Sequence, residues 1–73
     1  MAKYRTRDGH KVTLGSQVWA QNGNGPFILM EPGPAYGPTP KDWVLMVGEN
    51  GEELLHAPED VSLYYYVSRP APG

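Results

Sequence analysis

Cysteine is absent from the 73-residue chain, which excludes a disulfide frame and a thiolate nucleophile. Histidine stands only at positions 10 and 56, so a Cys/His zinc staple is excluded as well. Long apolar runs are missing too. No stretch approaches the roughly 20 residues of a membrane-spanning helix, and the opening Met-Ala-Lys-Tyr-Arg-Thr-Arg lacks the hydrophobic segment of a secretory leader. From its initial methionine the chain is expected to be complete, soluble and cytoplasmic. Helical periodicity is equally scarce, with no apolar stripe longer than about one turn.

Catalytic patterns are lacking. No serine stands in a Gly-x-Ser-x-Gly turn, and the glycines at 23 and 25 are not followed by the Lys of a phosphate loop. The acidic pairs Glu52-Glu53 and Glu59-Asp60 sit beside a turn and at a helix-cap position, where carboxylates serve local needs. His10 adjoins a turn and His56 lies in an apolar strand. The expectation is a protein that is not an enzyme and takes no cofactor or metal.

What the chain does have is punctuation. Nine glycines and eight prolines cluster between apolar runs of four to seven residues, the signature of short strands joined by tight turns. Residues 3–7 and 10–14 flank Asp8-Gly9, and residues 43–48 and 52–57 flank Asn50-Gly51; both pairs suit two-residue type I′ hairpins. Residues 17–21 form a further strand, closed by Asn22-Gly23-Asn24-Gly25-Pro26, and residues 27–31 form one with bulk on both faces. The Pro-rich segment 32–42 reads as a loop, neither strand nor helix, because proline removes amide donors and fixes φ. Pro58-Glu59-Asp60 suits a single 3₁₀ turn before a last strand over residues 62–67. These elements make an all-β domain over residues 1–68, a small barrel of five to six short antiparallel strands with a basic N-terminal hairpin (1–14) and a flexible tail (69–73).

Register follows from the turns. A two-residue loop at Asn50-Gly51 sets Met46 opposite Leu55 and Leu45 opposite His56, and both faces of that hairpin are then apolar. In the last strand Val61, Leu63, Tyr65 and Val67 alternate with Tyr64 and Tyr66. A narrow barrel accepts one face only, and the aliphatic set suits it. The surplus face is covered by the chain's own Pro-rich loop, by the N-terminal hairpin or by another molecule. On the partner reading Tyr64, Tyr66, Trp43 and Trp19 form the recognition surface, since a tyrosine ring buries apolar area while its hydroxyl stays paired.

Charge is divided unevenly. Residues 1–11 carry a net +3 from Lys3, Arg5, Arg7 and Lys11 against Asp8, and the remainder carries −5. The basic end is either a solvated edge or a contact for nucleic acid or an acidic partner, with Trp19 or Tyr4 as a stacking platform.

Leu14-Gly15-Ser16-Gln17-Val18-Trp19, then Gly25-Pro26-Phe27-Ile28-Leu29, resembles the SH3-like small barrels of the KOW, chromo and integrase-C-terminal type. The stretch from Trp43 to Val47, Asn50-Gly51 and His56-Ala57-Pro58-Glu59-Asp60-Val61 is similar to their final hairpin, 3₁₀ turn and closing strand. Such barrels are basic when they bind nucleic acid, and this one is acidic. The resemblance therefore implies a protein-interaction module, with RNA polymerase or its factors the favoured partner, in the manner of small phage-encoded regulators. A weak nucleic-acid-binding module is the alternative, and an enzyme subunit or small-molecule binder with a pocket under the Pro-rich loop a third.

Overall fold

Turn chemistry decides where each strand starts and stops. The computed structural model describes residues 4–70; Lys3 and residues 71–73 of the expected tail lie outside them. The strands are β1 (Tyr4–Arg5), β2 (Lys11–Val12), β3 (Gln17–Ala20), β4 (Phe27–Met30), β5 (Val44–Gly48), β6 (Glu53–His56) and β7 (Tyr65–Tyr66). A 3₁₀ turn spans Pro34–Tyr36, and one helix, α1 (Pro58–Tyr64), joins β6 to β7. All pairing is antiparallel. β1 and β2 form a two-stranded hairpin, and the other five strands form a curled half-barrel in the order β6-β5-β4-β3-β7. The described residues thus hold seven strands rather than five or six, and the Pro-rich segment holds a helical turn that proline starts well.

Both hairpins differ from expectation by one residue, for one reason. Gly48 N–H donates to Glu52 O at 2.9 Å and Gly51 N–H to Gly48 O at 3.1 Å, so Glu49, Asn50 and Gly51 form a three-residue loop. Met46 pairs with Leu54 and Leu45 with Leu55, not with Leu55 and His56. In the first hairpin Thr6 N–H reaches His10 O at 2.9 Å and Gly9 N–H reaches Thr6 O at 3.0 Å, which leaves Arg7, Asp8 and Gly9 in the loop. A type I′ turn needs positive φ at both central residues. Here only Gly51 (81°) and Gly9 (84°) have it, as in a type I turn followed by a glycine bulge.

The first half of the expected last strand is helix, and the expected 3₁₀ turn before it is that helix's first turn. Pro58 opens α1, Glu59 and Asp60 sit in its first turn, and the Asp60 carboxylate accepts the Ala57 N–H at 3.3 Å. Helical spacing replaces alternation: Val61 and Tyr65, four apart, are buried, whereas Leu63 is 49% exposed and is not an interior residue. Tyr64 ends the helix and faces outward there, rather than from a strand.

The core consists of Val18, Phe27, Leu29, Val44, Met46, Val61 and Tyr65, with Tyr4 and Val12 contributed by the N-terminal hairpin. Tyr4 OH donates to Asp42 O at 2.9 Å, and Ser62 Oγ donates to Arg5 O at 2.8 Å, fastening the hairpin at both sides. Arg7 N–H donates to Tyr65 O at 2.8 Å. The Asp8 carboxylate accepts the Val67 and Ser68 amides, each at 3.2 Å, and the Thr6 hydroxyl. Burial pushes this carboxyl up, but the bonds from Thr6, Ser68, Val67 and its own amide outweigh that and hold it below its ordinary value.

Two expectations follow. Gly25 combines φ of 140° with a position where a Cβ meets the Trp19 ring at 3.0 Å, whereas Gly33 has open space around it. Gly25→Ala should cost roughly 1–3 kcal/mol in urea unfolding, and Gly33→Ala less than about 0.5 kcal/mol. In acid, a depressed folded-state value means that the unfolded chain binds more protons at Asp8 than the native one. Its contribution is complete above the ordinary value of 3.8 and disappears as pH falls through the lower native value. Asp8→Asn should therefore flatten the acid limb of the stability profile; an unchanged limb would refute the assignment.

Candidate functional site

The convex face of the sheet carries the side chains that alternate with the core. Val18 and Ala20 turn inward, so Gln17 and Trp19 turn outward; Leu29 turns inward, so Ile28 and Met30 turn outward. Part of this face is covered by the chain itself. Tyr36 brings the Pro-rich segment over β6 by donating its hydroxyl to the Glu53 carboxylate, and that bond is what raises the tyrosine's own proton affinity. Leu45, on the same face, is buried although it lies outside the core cluster.

Farther along, the face is bare. Gln17, Pro26, Ile28, Met30, Val47 and Glu49 line a groove of about 250 Å³, with Met30 48% exposed. Next to it Trp19 and Tyr66 stand directly opposite each other on β3 and β7, both half-buried. The Arg69 guanidinium lies 5.1 Å from the centre of the Trp19 ring and its Nε donates to Gly23 O at 3.1 Å. Two of the four expected aromatic residues therefore meet. Tyr64 does not belong to this group; it is 46% exposed at the end of α1.

Trp43 is elsewhere again. With Tyr4, Leu14, Pro32 and Pro40 it lines a cleft of about 380 Å³ under the Pro-rich segment, whose rim carries Glu31, Lys41 and Asp42. Of the basic residues, Arg5 and Lys11 are exposed and directly paired across the N-terminal hairpin, and Arg7 donates from Nη1 to Leu63 O at 3.2 Å. Ile28, Met30, Val47 and Arg69 were not among the residues expected from sequence. The signal for the first two was present, since β4 carries bulk on both faces. Arg69 gives none, because its contact depends on where the chain returns.

One polar chain crosses the domain. His56 Nδ1 lies 3.5 Å from Asp60 Oδ2, and His56 Nε2 lies 2.7 Å from Tyr65 OH. An imidazole protonated at Nδ1 satisfies both partners. Burial raises the Tyr65 hydroxyl above its ordinary value, and the Asp60 charge adds to the effect. The carboxylate–imidazole–phenol series ends on a core ring, packed edge-on to Phe27 at 5.9 Å, so its role is structural. Among the described residues no three His, Asp or Glu side chains converge as a metal site requires, and no helix is long and apolar enough to cross a membrane. Comparison with protein-family models, curated proteins and solved structures returned no match.

Adjacent tyrosines should respond in opposite ways. Tyr65→Ala removes a buried ring and should cost about 3–5 kcal/mol, unfolding most of a domain this small at room temperature. Tyr64→Ala should leave thermal melting nearly unchanged, and a collapse of the fold in that variant would place Tyr64 in the core.

Proposed function

We propose that the chain is a non-enzymatic protein-interaction module of the SH3-like barrel type, whose partner belongs to the transcription machinery, RNA polymerase or one of its factors. The observation that carries the interaction reading is the uncovered strip of the convex face, Ile28, Met30 and Val47, continuing to Trp19 and Tyr66. An apolar groove flanked by half-buried aromatics suits a protein surface: the aliphatic floor supplies desolvation, and the rings act as anchors. Strand order supports the barrel type, since the last strand returns past a short helix to pair with the first strand of the meander. The partner class rests on the resemblance to KOW-type barrels and on the acidic body, in the manner of small phage-encoded regulators. Tyr64, exposed at the end of α1, lies apart from this strip.

A second reading has its own support. Arg5 and Lys11 face each other directly, an arrangement that repels unless an anion sits between them. Nucleic-acid binding through Lys3, Arg5, Arg7 and Lys11 would involve at most about four phosphates and fade steeply with salt.

Affinity capture from bacterial lysate tests the first reading. Wild-type protein should retain a stable partner, and Met30→Glu, an exposed change worth less than about 0.5 kcal/mol in stability, should lower its yield at least about tenfold. Recovery of no partner, or equal recovery by the variant, rejects the groove. Titration with single- and double-stranded DNA at low salt tests the second: no binding removes it.

A further inference from the structure

The two outer edges of the five-stranded sheet are treated differently. At β7 the edge is occupied: Arg7 N–H bonds Tyr65 O, and Asp8 takes the Val67 and Ser68 amides. At β6 it is bare. The Gly48–Glu52 bond sets the alternation of the hairpin, so Leu54 and His56 turn their peptide groups toward β5 while Glu53 and Leu55 turn theirs outward. Among the described residues nothing meets those outward groups. Helix α1 departs at the far end of the strand, where Ala57 N–H and O are both taken by Asp60. The edge from Glu53 to Leu55 is left open.

We propose that this β6 edge receives an extended segment of a partner protein as an added strand, and that the segment alternates basic with apolar residues. Backbone bonds to Glu53 and Leu55 supply the attachment. Side chains supply the selection. Leu54 faces the core side of the sheet yet is 41% exposed, because no strand lies beyond it; an apolar residue of the added strand covers it. The other face meets Glu53, held outward by Tyr36. Between residues 43 and 68 the chain has Glu49, Glu52, Glu53, Glu59 and Asp60 and neither lysine nor arginine, so the field at this edge selects Lys or Arg. A second copy is a poor occupant: the antiparallel register that engages the outward groups of both edges sets each Glu53 beside the other copy's Leu55, so the acidic edge meets another acidic edge and gains no cation. The proposal is independent of the convex-face reading, since it uses a different surface.

The probe is an alternating Lys-Val heptapeptide, compared with its Glu-Val counterpart and with a fully N-methylated Lys-Val version. Amide hydrogen exchange followed by NMR should slow at least about tenfold at Glu53 and Leu55 on adding the basic peptide, with little change at Leu54 and His56. The acidic and N-methylated peptides should leave all four rates unaltered. Glu52→Lys with Glu53→Lys, both exposed, should reverse the preference so that the Glu-Val peptide protects. Protection by the N-methylated peptide would reduce the effect to charge attraction and overturn the proposal. So would absence of protection at millimolar basic peptide. Protection that grows with protein concentration alone would make a second copy the occupant, and the proposal would fall.

Discussion

The hydroxyl of Tyr65 meets His56 Nε2 at 2.7 Å, and this bond joins β6 and β7, the strands at opposite ends of the five-stranded sheet. A half-barrel of this length leaves its two end strands without backbone pairing to each other. It is drawn together by side chains instead: Tyr65 to His56, His56 to Asp60, and the Tyr65 ring edge-on to Phe27. The same residue pairs with Ala20 and accepts the Arg7 amide through its carbonyl. The meander, the helix, the closing strand and the N-terminal hairpin all converge on it. The remaining core is aliphatic apart from Phe27 and Tyr4, so the orientation of β6 toward β7 depends on a directional polar contact in a low-dielectric interior.

Closure by side chains explains the division of labour between the two edges. Pairing through the backbone consumes peptide groups; closure through an imidazole and a phenol does not. The N-terminal hairpin therefore caps β7, where Arg7 and Asp8 reach it, and β6 keeps its outward amides. Glutamates along β6 and in the loop before it discourage self-association at that edge. The basic hairpin and the acidic β5–β6 region are thus two ends of one charge distribution, with the apolar strip of the convex face between them.

Much of the meander could be read from local chemistry, because glycine, asparagine and proline mark the ends of β3, β4, β5 and β6 within a residue or two. Register could not. Asn50-Gly51 and Asp8-Gly9 satisfy two kinds of hairpin turn, and the choice rests on whether the residue before glycine takes positive φ, which the dipeptide does not decide. Helix α1 was half-visible: Pro58-Glu59-Asp60 is an N-terminal signal, but the following Val-Ser-Leu-Tyr-Tyr-Tyr-Val alternates as a strand does. The i, i+4 pair Val61 and Tyr65 prevailed because both enter one core. Trp19 and Tyr66 meet through a pairing between distant segments, so no local pattern placed them together, and Trp43 was separated from them by the same topology.

The return of the chain to β3 carries a cost in folding order. Ala20 and Tyr65 are neighbours across the sheet yet 45 residues apart along the chain, and closing a loop of that length costs about 3 kcal/mol plus a constant before any contact forms. The β5–β6 hairpin closes over three residues and bears almost none of that cost. The meander is therefore the natural nucleus, and the helix with β7 is the last part to dock and the first to detach. In that partly opened state Phe27 loses the Tyr65 ring packed edge-on against it, so the transient species of this protein is one that exposes its core from the C-terminal side while its hairpins persist.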